Sequence, residues 1–119
     1  MKIFLSALCL FLVSVTYSFS QVYVEEVNIN ELDINYCELV GFNKYLLGKV
    51  NITIDYGQEY KFSKLQLIKG PSGKPVEFES MVEALNFMDK NGWEYVDNKV
   101  LTGSNDDALS KYLLKRKLK

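Results

Sequence analysis

Five groups of residues carry atoms that could do chemistry. Glu77 and Glu79 lie two positions apart, and paired carboxylates can divide acid and base roles, as glycoside hydrolysis requires. Cys37 offers a thiol, and Asn105-Asp106-Asp107 offers oxygens to a calcium ion. Gly70-Pro71-Ser72-Gly73-Lys74-Pro75 has the glycines and lysine of a phosphate loop. Tyr36, Tyr45, Tyr56, Tyr60 and Tyr112 offer amphipathic rings suited to a glycan, a peptide or another subunit.

Most of these fail on spacing or on missing partners. Two carboxylates need a substrate cleft between them, which one helix over a small sheet does not provide. The chain has no histidine, so nothing of that kind activates Cys37 as a nucleophile, and transition-metal sites lack their commonest ligand. Three adjacent side chains cannot wrap a cation that takes about six to eight oxygens. The loop has two residues between its glycines where a Walker loop has four, and Pro75 stands where Ser or Thr would bind magnesium. The expectation is therefore a non-enzyme with no catalytic residues, no cofactor and no metal. The five tyrosines remain as candidate binding residues.

Export sets the context for these residues. Lys2 precedes an almost unbroken apolar stretch over 3–15, and small residues stand at Ser18 and Ser20. That is the pattern of a signal peptide cut between Ser20 and Gln21. A membrane anchor is the rival, but residues 3–19 only reach the lower limit for crossing a bilayer, and Glu25-Glu26 follow instead of a basic stop. Leu8 before Cys9 argues against lipidation. The expected location is periplasmic or secreted, with no membrane span after processing.

The whole chain of 119 residues carries a formal charge of −1, and losing Lys2 makes it slightly more acidic. Nucleic acid is therefore not an expected partner. Residues 21–43 contain five acids and no Lys or Arg, whereas 111–119 contain five bases and no acid. These ends are either solvated faces or complementary surfaces that pair within or between chains. Cys37 alternates in phase with Leu39, which favours burial over an intermolecular disulfide.

The elements that must position these groups follow from periodicity. Residues 21–35 read as an acidic N-terminal arm, and 36–119 as one small domain. Tyr36–Phe42 is a strand. Val50, Ile52 and Ile54 alternate within Leu46–Asp55, and Tyr60–Lys69 alternates with a slip near Ser63-Lys64, which together predict a hairpin over 46–69. Asn51-Ile52-Thr53 is a formal glycosylation acceptor inside that strand. Two prolines and two glycines make 70–75 a loop. Ser80 and Glu83 form a capping box, Met81, Ala84, Leu85 and Met88 share a face extended by Val82 and Phe87, and Gly92 ends the helix 81–91. Trp93–Leu101 is a strand, and Gly103–Asp107 a polar turn. Over 108–117 acids precede an apolar run that closes in bases, which suits a helix, while an edge strand pairing on 93–101 suits it too.

Leu85-Asn86, Asn91-Gly92-Trp93-Glu94-Tyr95-Val96 and Tyr112-Leu113-Leu114-Lys115-Arg116 resemble a family of small bacterial domains of unknown function. The likeness is specific over 80–96 and loose over 36–117. It implies that the closing segment is a strand ending in Lys-Arg, and it implies no activity. Trp93 then folds back over the helix–sheet seam as a core residue rather than a ligand platform, with Glu94 toward solvent.

The expected fold is α+β, a mainly antiparallel sheet of about four strands with one helix packed on one face. The expected function is an exported, non-catalytic interaction domain that binds a protein partner or itself. The alternative is a small-ligand or glycan-binding protein that uses exposed tyrosines.

Overall fold

The computed structural model describes residues 20–43, 51–59, 66–102 and 108–118. The signal segment, Tyr45, Tyr60, the slip near Ser63-Lys64 and the Asn105–Asp107 turn lie outside these residues.

The chain is α+β. Strands β1 (Tyr23–Val24) and β2 (Val27–Asn28) form a short hairpin, followed by a 3-10 turn at Ile29–Glu31. Then come β3 (Tyr36–Asn43), β4 (Asn51–Asp55), β5 (Ile68–Lys69), helix α1 (Met81–Lys90), β6 (Trp93–Thr102) and β7 (Ala108–Arg116). Two antiparallel sheets result, with orders β2-β1-β5 and β4-β3-β7-β6. Among the described residues no helix is long and apolar enough to cross a membrane.

Residues 21–35 are a packed part of the body rather than a free arm. Val22, Val24 and Ile29 are fully buried, and β1 pairs with both β2 and β5. The acids of this stretch mask that role, because they stand between apolar residues of which Val22, Val24 and Ile29 turn inward. The turn between β1 and β2 forces Glu25 to a φ of 56°, a conformation that favours glycine. Glu25 is anchored there by two bonds with Leu67, its N–H donating to the Leu67 carbonyl at 2.9 Å and its carboxylate accepting from the Leu67 N–H at 3.0 Å.

The hairpin expected over 46–69 falls in large part on 46–50 and 60–65, which lie outside the described residues. Among the described residues β4 pairs with β3, placing Ile54 opposite Leu39 and Ile52 opposite Gly41, while β5 joins the smaller sheet. Alternation identified the strands but not their partners, since Leu39 offers β4 the same apolar face that a later strand would. Leu39 and Ile54 are both fully buried, and truncating either to alanine costs about 2–5 kcal/mol.

The closing segment is the strand β7, and it is not an edge. It lies between β3 and β6, with Cys37 opposite Leu114 and Trp93 opposite Arg116. Pairing on both sides outweighs the local preference for helix, a preference worth only fractions of a kcal/mol per residue. A bulge falls between Tyr95 and Asp97, so that Val96 has no partner on β7.

Helix α1 starts at Ser80, whose Oγ accepts the Glu83 N–H at 3.1 Å. The reciprocal arm of the box is shifted by one residue, as the Glu83 carboxylate accepts from the N–H of Glu79 at 3.2 Å. Gly92 takes a φ of 92° and turns the chain straight into β6. Ala84 and Met88 are buried, with Met81, Leu85 and Phe87 partly so. Val82 is 63% exposed and does not extend the apolar face. The helix and the small sheet cover one face of the large sheet, and a single core joins Val24, Ile68, Ala84, Met88, Leu39 and Trp93.

Candidate functional site

The sheet register separates the three described tyrosines, Tyr36, Tyr56 and Tyr112, of the five grouped by sequence. Tyr112 lies opposite Leu39 and so faces the core side, where it is half-buried. Tyr36 is one residue out of phase with that face, since it neighbours Cys37 along β3, and it stands 53% exposed on the other side. Tyr56 packs against the core from the end of β4. These three form no common surface. Tyr95 was not singled out by sequence, yet its ring lies 6.1 Å from that of Tyr112, tilted by 55°, and its hydroxyl bonds the Asn98 side chain. Only the bulge beside it brings Tyr95 and Asn98 onto one face, and no residue pattern announces a bulge.

Cys37 is 3% exposed. Burial is the main force that pushes its thiol up from 9.0 to about 12, reinforced by Asp55 and Glu38 and opposed by Arg116. Such a thiol is protonated at neutral pH and closed to an intermolecular disulfide in the folded chain. Glu77 and Glu79 are both exposed, on the approach to α1.

The ends of the chain meet at a junction built on Trp93. Its indole is buried and its Nε1 donates to Asn30 Oδ1 at 2.7 Å. The Asn30 amide nitrogen donates in turn to the carbonyls of Ser20 and Asn91, each at 2.9 Å. Arg116 lies over the Trp93 ring, 5.2 Å from its centroid. Its Nη1 donates to the Asn30 carbonyl and its Nη2 to those of Ile29 and Leu32, all at 3.0 Å. The basic tail therefore engages the acidic segment mainly through main-chain oxygens, which gather where the 3-10 turn ends. Among the described residues, direct ion pairing between the two is limited to Lys111 with Glu38 at 3.8 Å; Lys117 instead pairs with Asp89 on the helix at 2.9 Å. Beside the junction opens a groove of about 480 Å³, lined by Gln21, Asn28, Glu31, Asn91 and Lys117.

A second surface runs along the rest of β6, beyond Trp93. From Glu94 to Thr102 every residue of β6 is exposed, and among the described residues no strand pairs with its outer edge. Tyr95, Val96, Val100 and Leu101 each expose about half of their area there. Lys99 lies directly opposite Lys111 on β7, and Lys111 is the one that holds Glu38.

No family model matches this chain, and neither the curated proteins nor the solved structures contain a significant match.

Proposed function

We propose that this chain is an exported, non-catalytic interaction domain and that the outer edge of β6 is its binding surface. One observation carries the reading: a ten-residue strand whose outer side, among the described residues, pairs with no other strand, and which half-exposes four large apolar side chains. Edges of this length are normally covered or blunted, and an added strand from a partner would satisfy both the amides and the apolar area. The resemblance over 80–96 implies no activity and adds nothing to this reading.

The test places a photo-crosslinking residue at Val100, with Val82 on the helix as the exposed control, in the cell that makes the protein. Adducts confined to Val100 are expected. Equal adducts at both positions, or none, overturn the reading. Export is tested alongside by sequencing the N-terminus of the isolated protein, which is expected to begin at Gln21. Cleavage there removes the Ser20 carbonyl and leaves the Trp93–Asn30 bond intact.

The small-ligand alternative moves away from Tyr36, Tyr56 and Tyr112, which share no one surface, to the polar groove beside Asn30 and Arg116. A thermal-shift screen of acidic and neutral sugars tests it. A shift that Lys117→Ala abolishes supports that reading, and silence across the screen removes it.

A further inference from the structure

We propose that the partner at this edge is a second copy of the same chain, paired antiparallel along β6 about a twofold axis at Asn98. The inference rests on the edge-binding reading above and makes its occupant specific. A twofold axis perpendicular to the sheet pairs residues of equal parity, because opposed residues must point to the same face. Only a few registers then bring the exposed centre of β6 together. With the axis at Asp97, two carboxylates oppose each other. With the axis at Lys99, two ammonium groups do. With the axis at Asn98, Asp97 lies opposite Lys99 of the second copy and Lys99 opposite its Asp97, so both ends of the contact carry opposite charges.

Two further observations agree with that register. Lys99 faces Lys111 within its own chain and, among the described residues, has no carboxylate within ion-pairing distance. A carboxylate arriving from outside the sheet edge relieves that like-charge contact. Val96, left without a β7 partner by the bulge, lies opposite Val100 of the second copy, and both side chains are about half-exposed. Lysine and a bulge on an edge commonly discourage pairing. Here Asp97, two residues away on the same face, turns the lysine into one half of a self-complementary pair.

The experiment is sedimentation velocity on the purified protein, as the expressing cell leaves it, from about 10 μM to about 1 mM, a range suited to a small interface. A reversible dimer is expected, weaker at high salt because its ion pairs are exposed. Asp97→Lys and Lys99→Asp each set like charges opposite one another and are expected to weaken the dimer roughly tenfold or more. Mixing the two variants restores association as a heterodimer, and the double variant D97K/K99D restores the homodimer. Those two restorations cannot arise from misfolding. A monomer at every concentration overturns the inference while leaving Val100 crosslinks to another protein free to uphold the edge-binding reading. A dimer indifferent to both single substitutions also overturns it.

Discussion

Trp93 Nε1 and Asn30 Oδ1 meet at 2.7 Å, joining the first strand after the helix to the turn that follows the first hairpin. The bond satisfies the one polar atom of a buried indole, and the same amide ties Asn30 to the helix end through the Asn91 carbonyl. Asn30→Ala leaves the indole N–H unpaired and is expected to cost about 1–3 kcal/mol. Asn30→Asp keeps an acceptor for the indole but loses the amide donation to the Asn91 carbonyl, so a loss of about 1 kcal/mol or more is expected. Trp93 is the sole tryptophan, and its fluorescence during urea unfolding measures both changes without interference.

Arg116 contributes through shape as well as charge. Its planar fork reaches three carbonyls at once, which a lysine ammonium at the end of a flexible stem cannot reproduce. Arg116→Lys is expected to lower stability by about 2 kcal/mol or more, with little advantage over Arg116→Gln. Equilibrium denaturation checks this. A lysine variant as stable as the parent would mean that the charge over Trp93 matters and the fork does not.

The buried thiol makes a signed prediction about pH. Folding raises the Cys37 thiol from 9.0 to about 12, so below pH 9 both the folded and unfolded chains hold the proton. Between about pH 9 and about 12 only the unfolded chain releases it, and stability falls as pH rises. The slope from this group is about 1.4 kcal/mol per pH unit. Cys37→Ala removes that slope while lowering stability at pH 7, and the difference between the two pH profiles isolates it. At pH 8 a thiol reagent is expected to label the protein only after denaturant is added.

The two ends of α1 are stabilised by different means. Ser80→Ala deletes the oxygen that accepts the Glu83 N–H and is expected to cost about 1 kcal/mol. A methyl group at Gly92 meets no atom within 4 Å, yet its φ of 92° strains any side chain. Gly92→Ala is therefore expected to cost about 1 kcal/mol or more through the backbone alone. Thermal melts read both, and a neutral Gly92→Ala would show that the turn relaxes to another conformation.

Elements with their own local grammar were legible in the sequence. Ser80 with Glu83, the apolar spacing of Ala84 and Met88, and Gly92 before Trp93 define the helix and its exit from a few consecutive residues. Cys37 was legible as well, because alternation with Leu39 needs only neighbouring positions. Partnerships across long stretches were not. Nothing near Ile52 or Ile54 specifies that β4 joins β3, and nothing near Leu114 specifies an inner strand, since any apolar edge satisfies the same alternation. The junction also escaped notice for a physical reason. Asn30 sits among acids and asparagines that read as solvated, and Arg116 binds carbonyls, which every residue possesses and no sequence pattern advertises.

The strand order carries a consequence for how the chain is made. Tyr36 pairs with Lys115, and Ile29 receives its guanidinium contact from Arg116, so the earliest segments wait for the last. A chain emerging from the ribosome N-terminus first can form α1 by itself, but it cannot close the large sheet until synthesis is all but finished. Until then β3 has an open side and Val22, Val24 and Ile29 remain without much of their cover. Such topology gives slow, late folding dominated by distant contacts. Loss of Arg116 and the residues after it takes away the guanidinium fork and the Lys117–Asp89 pair together, and is expected to damage the fold far more than the removal of surface charge would.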